Sequence, residues 1–115
     1  IKHIFSTSEV ETKELQGYRI ISGLLDGFEP LLLCPTERFH DMVIGKRRGG
    51  LMEARLFKRL ANKHLKAYLE VVTPLKDSPD FILLEFYYRC RLIQDHVSGM
   101  TDQYALEEYR NLYPN

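Results

Sequence analysis

Apolar residues along this chain recur at helical rather than strand spacing. Val10, Glu14, Tyr18, Ile21, Leu25 and Phe28 follow one another three or four residues apart. That stripe predicts a first helix, and Ser6-Thr7-Ser8-Glu9 and Ser8-Glu9-Val10-Glu11 both fit a capping box at its start. Asp26-Gly27 and Pro30 predict a break or kink before Leu31-Leu32-Leu33, which continue a bent helix or form an irregular turn. A short helix is predicted over Thr36–Ile44, with Phe39 and Val43 on one face. After the Gly45–Gly50 break, a helix from about Leu51 carries Met52, Leu56, Phe57 and Leu60 on its apolar side. Another, Asn62–Val72, turns Leu65, Tyr68, Leu69 and Val72 inward.

The most apolar segment is Pro79–Val97. Phe81, Ile82, Leu83, Leu84, Phe86, Tyr87, Tyr88, Cys90, Leu92, Ile93 and Val97 surround it nearly all round, which predicts a central position. Ser78 is its expected N-cap and Pro79 its first helical residue. Glu85 and Arg89 stand in the favourable i,i+4 order for an ion pair. Gly99 predicts its end, and Thr101 or Asp102 caps a last helix over Asp102–Leu112. Only Ile1–Phe5 reads as extended. The expected fold is therefore all-α, about six helices packed around one central apolar helix (roughly 79–97), in a single helical domain over 1–115.

Composition narrows the chemistry. Apolar residues make up 44% and charged residues 28% of 115, an ordinary globular balance for one domain. Sixteen basic and sixteen acidic side chains cancel, so any electrostatic site is local. Cys34 and Cys90 lack the spacing of a zinc site or a disulfide framework and are expected as reduced thiols. No apolar run is long enough for a membrane span and there is no signal peptide, which together suggest a cytoplasmic setting. The first residue is Ile rather than Met, as in a piece of a longer protein.

Three positions invite functional readings from the residues themselves. Glu14 interrupts an apolar stripe, and a buried carboxylate must be paired. An internal salt bridge to a cation such as Arg19 or Arg55, or an edge position, satisfies that as well as a ligand would. Lys46-Arg47-Arg48 between glycines is the densest charge cluster, and a guanidinium there could stack on a base or fork onto a phosphate. A solvated loop is the plain alternative. The dipeptide His40-Asp41 resembles a metal-binding pair, but no further ligands accompany it, so a chance occurrence is expected. Tyr87-Tyr88 is expected in the core rather than as a stacking platform.

Three segments resemble one family. Phe5–Leu25, with Gly17-Tyr18-Arg19 and Ser22-Gly23-Leu24-Leu25, Glu53–Phe57, and Tyr87–Ala105, with Ser98-Gly99-Met100-Thr101-Asp102, are similar to the C-terminal region of the deoxyguanosinetriphosphate triphosphohydrolases of the HD-domain superfamily. The resemblance spans essentially the whole chain and is strongest to the hexameric bacterial branch. It implies hydrolysis of dGTP to deoxyguanosine and triphosphate, with Mg2+ or Mn2+ held by an H…HD…D pattern. That pattern belongs upstream of the matched region and is absent here, so this chain is expected to be a C-terminal fragment lacking the catalytic HD domain, inactive alone and binding no metal itself.

By the same resemblance Glu14, Arg47, Arg55 and, more weakly, Phe5 are expected to contact substrate, Phe5 as a pocket wall. The loop around Arg47 departs from the family in length and composition, so the choice among Lys46, Arg47 and Arg48 stays open. The competing reading is a helical interaction or regulatory module that binds single-stranded DNA or RNA through Lys46–Arg48.

Overall fold

A computed structural model describes residues 8–46 and 49–114. The described residues form seven α-helices and no strand. They are α1 (Ser8–Gly27), α2 (Glu29–Leu33), α3 (Thr36–Val43), α4 (Leu51–Phe57), α5 (Asn62–Val72), α6 (Phe81–Ser98) and α7 (Asp102–Leu112), with a 3-10 turn at Thr73–Leu75. The all-α expectation holds, and the predicted breaks at Gly27–Pro30, Gly45–Gly50 and Gly99 all separate helices. The expected extended segment Ile1–Phe5 lies outside the described residues. The chain divides into two compact units, α1 with α7, and α2 to α6.

In the first unit α7 runs beside α1 in the same direction. A methyl group at Gly23 would collide with the Tyr109 ring, and one at Gly27 would come within 2.8 Å of Leu112 Cδ1. The two glycines thus let the helices approach closely. The Tyr113 hydroxyl donates to the Gly23 carbonyl at 3.0 Å. Of the two cap candidates Thr101 is used, its hydroxyl accepting from Tyr104 N–H at 3.2 Å.

The predicted α1 stripe is not buried as expected. Glu14 is exposed, Tyr18 is 73% exposed, and Ile21 and Leu25 are exposed too. Leu24 is fully buried instead. The reason is geometric, since α7 covers the glycine side of α1 and one helix can shield only one side of another.

The second unit is built on a buried polar cluster. Arg89 and Glu85 are 1% and 0% exposed in side chain and form the anticipated i,i+4 pair. Arg89 Nε donates to Glu85 Oε2 at 3.0 Å, and Nη2 donates to Oε1. Nη1 donates to the carbonyls of Leu31 and Leu32, each at 3.2 Å, and to that of Cys34. Nη2 also reaches Thr36 Oγ1 at 3.4 Å. Tyr68 of α5 donates to Glu85 Oε2 at 2.5 Å. Burial and the neighbouring carboxylate push the Tyr68 phenol well above its ordinary value. The guanidinium carbon lies 5.0 and 5.4 Å from the centroids of the Phe39 and Phe86 rings. One side chain therefore ties α6 to α2 and α3, and satisfies carbonyls that the end of α2 leaves without helical partners.

This cluster changes the reading of α6. The helix starts at Phe81, not Pro79, because Ser78-Pro79-Asp80 forms a turn in which Ser78 O accepts from Phe81 N–H at 3.1 Å. Its inward face carries Glu85, Arg89, Leu92, Ile93, His96 and Val97, while Ile82, Leu83, Phe86 and Tyr87 are exposed. Other faces follow the periodicity more closely, with Phe39, Leu56, Leu60, Tyr68 and Val72 buried, although Met52 is exposed.

His96 packs edge-on to Phe28 at 5.4 Å and to His64 at 6.1 Å, and its buried Nε2 has no partner among the described residues. Burial, reinforced by His64, holds its pKa below the ordinary 6.5.

Two outcomes follow from these groups. Arg89→Met leaves Glu85 buried and unpaired, which should cost about 3–5 kcal/mol in urea unfolding, and Tyr68→Phe about 1–3 kcal/mol. An Arg89→Met loss below about 1 kcal/mol would show that the pair is not what holds the second unit. For His96, the unfolded chain takes up a proton near pH 6.5 that the folded chain resists. Stability is therefore fully present above that pH and declines as pH falls through the depressed folded pKa. His96→Gln should flatten this decline, and an unchanged pH profile in the variant would refute the assignment.

Candidate functional site

The predicted basic loop is framed at both ends by backbone chemistry. α3 ends where Gly45 adopts φ +77°, a left-handed conformation suited to glycine. Ile44, Gly45 and Lys46 N–H groups donate back to His40, Met42 and Asp41 carbonyls at 3.1, 3.2 and 2.8 Å. At the far end Gly50 N–H donates to Glu53 Oε1 at 2.8 Å, which caps α4. Arg38 of α3 donates through Nη1 to both Glu53 oxygens at 3.3 Å. Gly49 is held so close that a Cβ there would lie 2.6 Å from Met42 Sδ and 2.7 Å from Glu53 Oε1.

Between α3, α4 and the ends of this loop lies a cleft of about 290 Å³. Met42, Ala54 and Phe57 give it an apolar lining, and Lys46 and Lys58 place two cations at it. An apolar floor with flanking ammonium groups suits a ligand that has a flat apolar part and negative charge.

Glu53 is the ionised anchor of the arrangement. Burial favours its neutral form, but the Gly50 N–H and the Arg38 guanidinium outweigh burial and hold it below the usual carboxylate range. Cys34 feels the opposite balance. Burial, and then the charge of Glu53, push its thiol up to about 11, so it stays protonated and weakly nucleophilic at neutral pH.

Of the four expected substrate residues, Glu14 and Arg55 are among the described ones, and each lies within its own unit. Glu14 is exposed on α1 in the first unit. Arg55 is exposed on α4 in the second and does not line the cleft. Within α1, Glu14 makes no ion pair with Arg19, one of the cations that would satisfy it. Phe5 and Arg47 lie outside the described residues. Of the basic cluster, Lys46 is seen at the cleft. Sequence reasoning missed Met42, Phe57 and Lys58, which only packing brings together. It also missed Glu53, although Gly50-Leu51-Met52-Glu53 carries the spacing of an N-terminal cap.

No three His, Cys, Asp or Glu side chains among the described residues come together as a metal site needs. His40 is buried, edge-on to Phe81 at 6.5 Å, consistent with core packing. No helix of the described residues is long and apolar enough to cross a membrane.

No protein-family model matches the chain. Among curated proteins it is 52% identical over 114 residues, 97% of its length, to the deoxyguanosinetriphosphate triphosphohydrolases of Salmonella schwarzengrund (strain CVM19633), Salmonella enteritidis PT4 and Salmonella typhimurium LT2. The chain spans 23% of the length of each of these relatives. Over nearly its whole length, then, the sequence is similar to the C-terminal region of the deoxyguanosinetriphosphate triphosphohydrolases.

Proposed function

We propose that this chain is the C-terminal region of a dGTP triphosphohydrolase, and that the full-length protein uses water to cleave dGTP into deoxyguanosine and triphosphate. The observation that carries this reading is the 52% identity over 97% of the chain to relatives bearing that name. In this reading the catalytic HD domain and its Mg2+ or Mn2+ lie in the part of the enzyme outside this chain. The region contributes recognition and oligomer contacts in a cytoplasmic enzyme.

Recognition would fall to Glu14, Arg47, Arg55 and Phe5. The exposed Glu14 carboxylate can accept from the guanine N1–H and its amino group, a donor pair that adenine does not offer. Arg55 is equally free to fork onto phosphate or stack on a base, and Arg47 has the same chemistry. Phe5 would wall the base. The exposed Leu15 and Tyr18 on α1 and Ile82 and Leu83 on α6 support further packing, as in a hexamer.

Lys46 and Lys58 beside an apolar cleft also favour a second reading, a module that binds single-stranded nucleic acid. Oligonucleotide binding by the chain with a steep salt slope, and no triphosphate release by the full-length protein, would establish that reading over the first.

In the full-length protein, Glu14→Ala, Arg47→Ala and Arg55→Ala should each lower kcat/KM for dGTP about tenfold or more, roughly 1.4 kcal/mol of transition-state stabilisation. Triphosphate release is the readout. If all three variants stay within about twofold of wild type, the assigned site is wrong.

A further inference from the structure

The first unit carries a glycine that its own packing does not require. α1 contains three glycines, and a glycine inside a helix is destabilising because of the backbone freedom it gives up. Gly23 and Gly27 are explained by Tyr109 and Leu112 of α7, which approach too closely for a Cβ. Gly17 has no such explanation, since a Cβ there would meet nothing within 4 Å among the described residues. Instead Gly17 opens onto a cleft of about 360 Å³ between α1 and α7. Ile20 and Ile21 of α1 and Leu106 of α7 give this cleft an apolar surface, and Lys13 stands at its edge.

On a helix surface the residues three and four positions away are the neighbours of a given site. Around Gly17 these are Lys13 and Glu14 on one side and Ile20 and Ile21 on the other. The absent side chain therefore leaves a dent with an ammonium and a carboxylate at one rim and two isoleucines at the opposite rim. Lys13, Ile20 and Ile21 line the same cleft as Gly17, and Glu14 is exposed next to Lys13. We propose that the dent at Gly17 seats the base of the substrate, and that Lys13 is a specificity-determining residue that donates to guanine O6 while Glu14 accepts from N1–H and the amino group. The inference rests on the proposed reading of guanine by Glu14 and adds to it a seat and a second reader.

The match is one of hydrogen-bond order. Guanine presents an amino donor, the N1–H donor and the O6 acceptor in sequence along one edge. A carboxylate with an ammonium beside it is complementary to that edge, because the first only accepts and the second only donates. Adenine has a bare N1 and carries its amino group where guanine has O6. It would set a lone pair against Glu14 and a donor against Lys13, and groups left unpaired in this way reject the wrong base. The glycine supplies the geometry. A planar ring can rest on the α1 backbone at Gly17 with its edge level with the two charges, and the isoleucines meet its apolar face. A side chain at position 17 would stand between the ring and the helix.

Gly17→Ala in the full-length protein is the discriminating variant. Alanine is the better helix former and its methyl group meets no described neighbour, so the urea midpoint should hold or rise. The same methyl group would occupy the seat of the base, so kcat/KM for dGTP should fall about tenfold or more. Lys13→Met keeps the bulk of the side chain and loses the donor, and should lower kcat/KM about fivefold or more. Lys13→Arg restores a donor and should recover most of that loss, whereas equal losses in the two variants overturn the role of Lys13. A lower urea midpoint or a smaller oligomer in Gly17→Ala would make Gly17 a packing position and overturn the inference. A kcat/KM within about twofold of wild type in Gly17→Ala or in Lys13→Met overturns it as well. If Glu14→Ala meanwhile lowers kcat/KM, Glu14 reads the base without this seat and the proposed function stands. That function falls only if the wild-type full-length protein releases no triphosphate from dGTP.

Discussion

The Arg89–Glu85 pair is the constraint on which the second unit depends. Taking a guanidinium and a carboxylate out of water costs more than their mutual attraction returns unless every polar atom finds a partner. Here that condition is met. The three guanidinium nitrogens donate to Glu85, to three main-chain carbonyls and to Thr36, and the second acceptor side of Glu85 is taken by Tyr68. Those partners come from α2, α3, α5 and the linker at Cys34, so the pair can be buried only when those elements are in place together. An apolar core of the same volume would be tolerant of sliding helices, whereas this one defines a register.

That choice has a consequence on the other side of α6. A helix that spends part of its inward face on Glu85 and Arg89 turns Ile82, Leu83, Phe86 and Tyr87 outward. Leu83 is 70% exposed, and Leu33 at the end of α2 is exposed as well. Apolar side chains gain by leaving water at roughly 25 cal/mol per Å², so such a face favours a covering surface. The chain corresponds to under a quarter of the length of its relatives, and a core that continues into other parts of a larger protein would have this appearance.

The helices themselves were legible from residues 8 to 112, because spacing, glycine breaks and caps are local signals. Thr101, Gly45 and the Gly27–Pro30 break each acted through their own backbone chemistry, which a neighbour does not alter. The assignment of faces was less legible. Periodicity reveals that Tyr18, Ile21 and Leu25 lie on one side of α1, but not whether anything covers that side. Likewise, Glu85 and Arg89 were readable as a pair, yet their spacing is the same on a solvated surface and in a core. Their burial depends on carbonyls more than fifty residues away. The basic loop was visible because Lys46 to Gly50 are contiguous, and the cleft was not, because Met42, Phe57 and Lys58 converge only after α3 and α4 pack.

The exposed stripe and the proposed recognition residue on α1 share one physical requirement. A carboxylate in bulk water discriminates poorly between ligands, since water competes for every hydrogen bond that it could accept. For Glu14 to distinguish guanine from adenine it must be shielded while it binds. Its neighbours along the helix at i+4, i+7 and i+11 are Tyr18, Ile21 and Leu25, all exposed. A surface that packs against those three side chains would exclude water from the same face and raise the worth of the Glu14 hydrogen bonds. In the proposed enzyme, selectivity for the base and burial of the α1 stripe would then be gained in a single packing event. The carboxylate would owe its function to contacts made by the apolar residues beside it.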